Sequence, residues 1–249
     1  MIDHSFRETG WHITLRHAPP RRFQVFGERS SGTNFVKRLI GRNTPLSPIE
    51  DLGWKHGFPA MTAIPSDVAI VCAVRDARAW ALSMHAKPWH CPPSLQALPF
   101  SAFLRAQWVT IADRKRYFPQ VEAFGGQGQP LQPDRHPITG LPFDNLFAMR
   151  QAKMLGLLSF QQRGCTVVLC RMEAVQNDQR GFLSALHKSL GLPSEHSDLR
   201  PVHKRLGSKF LASHEPRPAT PPSFPTEDLT VLRANLDLGI EAALGYDYS

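Results

Sequence analysis

The seven residues Val68 to Val74 (VAIVCAV) form an unbroken apolar run rich in β-branched side chains. That is the pattern of a strand buried on both faces of a parallel sheet, which obliges the rest of the chain to supply helices for each face. Directly after it, residues 76–85 carry apolar side chains at helical spacing. Thr166 to Cys170 (TVVLC) repeats the buried-strand pattern, and a helix over Phe182 to Leu190 follows, brought to a stop by Gly191 and Pro193. Arg22 to Phe26 reads as a shorter strand, Gly27 to Asn34 as a loop and Phe35 to Ile40 as the start of a helix. Three strands each leading into a helix predict an α/β chain with a central parallel sheet flanked by helices. At 249 residues and 42% hydrophobic content, one domain over 1–249 is expected.

Two further helices are expected over Phe103 to Tyr117 and Leu146 to Gln162, the second capped by Asp144. Residues 119–142, rich in Gly, Pro and Gln, exceed the usual loop length and read as a mobile lid or disordered insertion outside the core. His214 to Pro225, with its five prolines, reads as an extended linker before a closing helix over Leu229 to Leu244. No apolar run reaches the roughly 20 residues of a membrane span, and the N-terminus lacks a basic-then-apolar leader with a small-residue cleavage site, so a cytoplasmic protein without a membrane partner is expected. Cys72, Cys91, Cys165 and Cys170 lack zinc-type spacing and read as reduced structural thiols. His85, His90 and Cys91 lack a fourth ligand and read as a surface loop, so no metal is expected.

The net charge of +8 favours anionic ligands. The basic residues are scattered and no nucleic-acid-binding signature accompanies them; a polyanionic small molecule explains the charge equally well, and no nucleic-acid partner is expected. The stretch Gly27-Glu28-Arg29-Ser30-Ser31-Gly32-Thr33-Asn34 sits where a strand meets a helix, the place where backbone N–H groups and the helix dipole attract anions. Its glycines have P-loop spacing, but Thr33 and Asn34 stand where that motif needs Lys and then Ser or Thr. Magnesium-dependent triphosphate chemistry is therefore disfavoured. The hydroxyls of Ser30, Ser31 and Thr33, the amide of Asn34 and the guanidinium of Arg29 suit a phosphate-like group held without metal. Read otherwise, Ser30 or Ser31 merely caps the helix. A second anion site is suggested at the tip of the next strand, where Arg75 precedes Ser83 by about two helical turns.

These two motifs resemble those of the sulfotransferases that use 3′-phosphoadenosine-5′-phosphosulfate. In that family a Ser-Gly-Thr loop, here Ser31-Gly32-Thr33 followed by Asn34 and Phe35, holds the 5′-phosphosulfate. An Arg-Asp-x-Arg strand end with a later Ser, here Arg75 and Ser83, holds the 3′-phosphate. Weaker similarities are Cys170-Arg171-Met172-Glu173, Leu190-Gly191-Leu192, Leu244-Gly245-Tyr246, and Lys204-Arg205-Leu206-Gly207 as a basic loop over the 3′-phosphate. The resemblance implies a P-loop-like three-layer fold and transfer of a sulfuryl group to a hydroxyl or amine of a small-molecule or glycan acceptor. Many members carry Lys immediately before Ser-Gly-Thr, where this chain has Ser30, which leaves Arg29, Lys37 and Lys55 as candidates for the cation at the bridging oxygen.

Gly53-Trp54-Lys55-His56-Gly57-Phe58 places a cation beside a histidine between two flexible glycines, and it resembles a stretch found in a bacterial-type sulfotransferase-like subgroup. His56 is the candidate base, with Lys55 and Arg29 as catalytic cations; read otherwise, Trp54 and Phe58 plug the core and Lys55 and His56 are solvated. Arg150 and Lys153, three apart, read as a solvated helix face rather than a contact for an acidic acceptor. Glu173 reads as a ribose contact, a support for the base, or one half of a structural ion pair. Two rival functions stay open, a P-loop-type kinase or nucleoside triphosphatase and a non-catalytic nucleotide-binding relative, with a basic nucleic-acid binder third.

Overall fold

The computed structural model describes residues 2, 4–193, 198–203 and 209–249. In chain order its elements are α1 (Ser5–Thr9), β1 (Trp11–Thr14), β2 (Arg22–Phe26), α2 (Thr33–Asn43), β3 (Ser47–Pro48), β4 (Val68–Val74), α3 (Ala77–Ala86), α4 (Pro93–Gln96), α5 (Phe100–Arg105) and α6 (Pro119–Ala123). Then come α7 (Leu146–Leu158), β5 (Thr166–Arg171), α8 (Met172–Asn177), α9 (Gln179–Leu190), α10 (Leu229–Asn235) and α11 (Leu238–Ala243). The chain divides into two compact units, one of Met1–Asp76, Met154–Ser208 and Asp237–Ser249, the other of Ala77–Lys153 and Lys209–Leu236.

The first unit carries a five-stranded sheet in the order β1-β5-β4-β2-β3. β4 is central and buried along its whole length, as its composition requires. β5, β4, β2 and β3 run parallel, so the tips of β2, β4 and β5 open on one edge; β1 pairs antiparallel with β5. Strand alternation sends Phe23, Val25, Val71, Ala73 and Val168 to one face, against Val36, Leu39 and Ile40 of α2 and Phe182, Leu186 and Leu190 of α9. On the other face the Phe26 ring lies 5.3 Å from Phe160, and the Cys72 thiol donates to the Leu157 carbonyl at 3.6 Å. The α/β architecture with helices flanking a mostly parallel sheet is as expected. β1 was not anticipated: its four half-buried residues, WHIT, sit at a sheet edge and present no apolar run.

The second unit departs from expectation in several places. The helix expected over Phe103 to Tyr117 ends at Arg105; beyond it the chain is extended, with Trp108 N–H donating to the Phe143 carbonyl and Ile111 N–H to that of His90. Trp108-Val109-Thr110-Ile111 is aromatic and β-branched, a composition that fits extended pairing better than a helix. The cap of α7 is Asn145, whose side-chain oxygen accepts the Ala148 N–H at 2.9 Å, rather than Asp144. Arg150 and Lys153 are buried, not solvated. The Arg150 guanidinium lies 5.1 Å from the centre of the Trp80 ring, and Lys153 pairs with Asp134, which also accepts the Thr110 hydroxyl at 2.8 Å. The segment 119–142 thereby contributes Leu131 and Asp134 to buried positions.

His85, His90 and Cys91 are likewise buried rather than on a surface loop, and His90 Nδ1 lies 2.7 Å from Asp113 Oδ1. The helix expected over Leu229 to Leu244 breaks at Leu236 and Asp237, because Asp237 accepts the Ile240 N–H and starts α11 anew. Among the described residues no helix is long and apolar enough to cross a membrane.

Candidate functional site

The edge of the first unit where β2, β4 and β5 end gathers most of the residues singled out from the sequence. Gly27 leaves β2 pressed against β4: a Cβ there would stand 2.5 Å from the Ala73 carbonyl oxygen and 2.6 Å from Ser31 Oγ. Glu28 opens a tight turn whose carbonyl accepts both the N–H of Ser31, at 3.1 Å, and its hydroxyl, at 2.7 Å. The fully buried Ser31 hydroxyl therefore shapes the loop from within. Ser30 and Gly32 take left-handed backbone conformations, with φ of 66° and 85°. For Gly32 the requirement is double, since a Cβ would also meet Met172 Cγ at 2.6 Å.

Gly32 is the N-cap of α2, which begins at the buried Thr33, and no side chain caps it among the described residues. The first-turn N–H groups of a helix have no intrahelical acceptor, and the helix dipole adds partial positive charge there. No acidic residue lies in that first turn. This is the electrostatic arrangement of an anion site.

Arg75, one residue beyond β4, reaches across to donate from Nη1 to the Ser30 carbonyl at 2.8 Å. The two motifs read separately from the sequence thus meet in one place, loop against strand tip. Lys55 Nζ donates to Asn34 Oδ1 at 2.7 Å, which sets an ammonium beside the first turn of α2. Burial lowers the Lys55 pKa below the usual lysine value, with the nearby Lys37 adding to the effect and Glu50 opposing it. Lys37, another candidate cation, pairs with Glu50 at 2.7 Å. Arg29 is 5% exposed and its guanidinium lies 5.7 Å from the centre of the Trp54 ring.

His56 is half-buried, and its Nδ1 lies 2.7 Å from the Gly27 carbonyl. A carbonyl only accepts, so Nδ1 carries a proton, which makes Nε2 the basic nitrogen in the neutral form of the ring. The Gly27 N–H in turn donates to the Lys55 carbonyl at 3.0 Å, so residues 55 and 56 are laced to the root of the loop. Glu173 is held by two hydrogen bonds, accepting the Asp76 N–H at 3.0 Å and the Tyr246 hydroxyl at 3.1 Å.

The structure brings together Arg29, Ser30, Ser31, Gly32, Thr33, Asn34, Lys55, His56 and Arg75 through these contacts. Ser83 is half-buried on α3, in the second unit. Lys204, Arg205 and Gly207 lie outside the described residues. Met172 and Tyr246 were noted in the sequence only within the weaker family-like stretches, with no role assigned; the structure puts Met172 against Gly32 and the Tyr246 hydroxyl on Glu173. Among the described residues no group of three His, Cys, Asp or Glu side chains gathers as metal ligands would. Comparison of the chain with protein-family models, with curated proteins and with solved structures returns no match.

Proposed function

We propose that the chain is a sulfotransferase that moves the sulfuryl group of 3′-phosphoadenosine-5′-phosphosulfate to a hydroxyl or amine of a small-molecule or glycan acceptor. The observation that carries the reading is Arg75 at the β4 tip donating to the Ser30 carbonyl of a loop that ends in the uncapped start of α2. On this reading the N–H groups at the start of α2 and the hydroxyls of Ser30 and Thr33 bind the phosphosulfate, Ser31 holds the loop in shape through the Glu28 carbonyl, and Arg75 binds the 3′-phosphate.

Negative charge grows on the leaving phosphate oxygen as the bond from sulfur to that oxygen breaks and the bond to the acceptor forms. Lys55, placed at Asn34 by its hydrogen bond, is the ammonium suited to that oxygen and replaces the lysine that Ser30 displaces from the loop. His56 Nε2 takes the acceptor proton while its Nδ1–H stays fixed on the Gly27 carbonyl. The products are the sulfated acceptor and adenosine 3′,5′-bisphosphate, with the proton on His56. Positioning supplies the remainder.

Calorimetry with adenosine 3′,5′-bisphosphate, ATP and GTP, each with and without magnesium, tests the donor site. Metal-independent binding of the bisphosphate in preference to both triphosphates is expected; preference for a triphosphate with magnesium would overturn the assignment in favour of a P-loop-type enzyme. Transfer of labelled sulfate to a panel of hydroxylated acceptors tests the chemistry. His56→Ala is expected to lower turnover by roughly 10²-fold or more with little change in bisphosphate affinity, and unchanged turnover removes His56 from the mechanism.

A further inference from the structure

The first turn of α8, directly after β5, touches both halves of the candidate donor site. Met172 fills the space that the missing Cβ of Gly32 leaves beside the loop, and Glu173 accepts the Asp76 N–H immediately beyond Arg75. That N–H belongs to the same rigid peptide plane as the Arg75 carbonyl, so anchoring it fixes the direction in which the Arg75 side chain leaves the strand tip. The other oxygen of Glu173 is held by the hydroxyl of Tyr246, which is itself 8% exposed and whose N–H donates to the Glu241 carbonyl at 2.9 Å.

Arg171, the last residue of β5, adds a second tie to the same C-terminal stretch. Its Nη1 donates to the Gly245 carbonyl at 3.2 Å and its Nη2 to the Arg7 carbonyl at 3.0 Å. Gly245, at φ 80°, leaves no room for a side chain there, since a Cβ would stand 2.5 Å from Arg171 Nη1. The strand tip bearing Arg75 is thus braced, through one carboxylate, by a segment 170 or so residues further along the chain.

We infer that Glu173 is a positioning residue for Arg75, and that the contact from Tyr246 to Glu173 makes the C-terminal stretch part of the framework that selects a 3′-phosphorylated nucleotide. The inference rests on the reading that Arg75 binds the 3′-phosphate. It assigns Glu173 no contact with donor or acceptor. A misdirected Arg75 would lose the terminal phosphate first, while the N–H groups at the start of α2, fixed by the helix itself, would keep their hold on the 5′-phosphate.

The test is the ratio of affinities for adenosine 3′,5′-bisphosphate and adenosine 5′-monophosphate, measured by calorimetry on the full chain and on Glu173→Ala, Glu173→Gln, Tyr246→Phe and Arg75→Ala. The wild-type chain is expected to prefer the bisphosphate. Glu173→Ala should lose about three- to tenfold of that preference, toward the value for Arg75→Ala, with monophosphate affinity unchanged. Glu173→Gln keeps an acceptor for the Asp76 N–H and an amide for the Tyr246 oxygen, so it should restore the preference, and Tyr246→Phe should lose about two- to threefold. If Glu173→Ala does not fold, Tyr246→Phe, which removes one oxygen, carries the test. A wild-type chain without preference for the bisphosphate would refute the donor-site reading itself. Full preference retained in Glu173→Ala and Tyr246→Phe, or equal loss of affinity for both nucleotides, would overturn the positioning role alone.

Discussion

Gly27→Ala should be the most damaging single-methyl addition at the candidate site. The new Cβ would lie 2.5 Å from the Ala73 carbonyl oxygen, 2.6 Å from Ser31 Oγ and 3.0 Å from Thr33 Cγ2. Ala73 belongs to β4, the central strand, hydrogen-bonded on both sides, so its backbone cannot retreat as a flexible side chain could. Overpacking of an unyielding site costs about 3 kcal/mol. For a chain of this length that amounts to a fall of roughly 6–12 °C in Tm. Gly41→Ala is the matched control: it sits exposed within α2, and its nearest neighbour is the end of the Phe23 ring at 3.9 Å. There the same methyl should stabilise by about 0.5–1 kcal/mol through helix propensity. Thermal unfolding followed by circular dichroism separates the two. If Gly27→Ala melts with the wild-type chain, the loop does not press on β4 as described, and the close approach of loop and strand tip is refuted.

Two further perturbations probe the second unit. Lys153→Met should cost about 3–5 kcal/mol by leaving Asp134 charged and buried beside Thr110, while adding Asp134→Leu should recover much of the loss; a single variant as stable as wild type would refute the pairing. Burial lowers the His85 pKa below its ordinary 6.5, helped by the Arg217 charge and opposed by the hydrogen bond to the Leu98 carbonyl. The unfolded chain therefore takes up the proton first, so stability present above pH 6.5 is lost as the pH falls through that value toward the lower folded pKa. Denaturant midpoints between pH 7.5 and 5.5 should fall more steeply for wild type than for His85→Gln, and equal slopes would refute the neutral buried ring.

The strands buried on both faces were legible because burial of that kind writes an unbroken apolar run, and the loop was legible because its glycines stand at a strand-to-helix junction. What was hidden depends on partners distant in sequence. Nothing near Lys153 announces Asp134 or Thr110, so a cation destined for the interior looks like any solvated one. The hydrogen bond from His56 to the Gly27 carbonyl, which selects its tautomer, spans 29 positions and leaves no local pattern. The edge strand β1 was lost for the opposite reason: half-buried residues in so short a segment carry too little periodicity to read.

The guanidinium of Arg171, donating at once to the carbonyls of residues 7 and 245, has a topological consequence. Those two carbonyls, 238 positions apart in the sequence, lie within the span of one side-chain head, so α1 and the stretch after α11 are tied to the end of β5 by a single group. A short peptide joining the stretch after residue 245 to the stretch before residue 7, with fresh termini opened beside the 90% exposed Phe124 of the second unit, is expected to give a circularly permuted chain that keeps every strand neighbour.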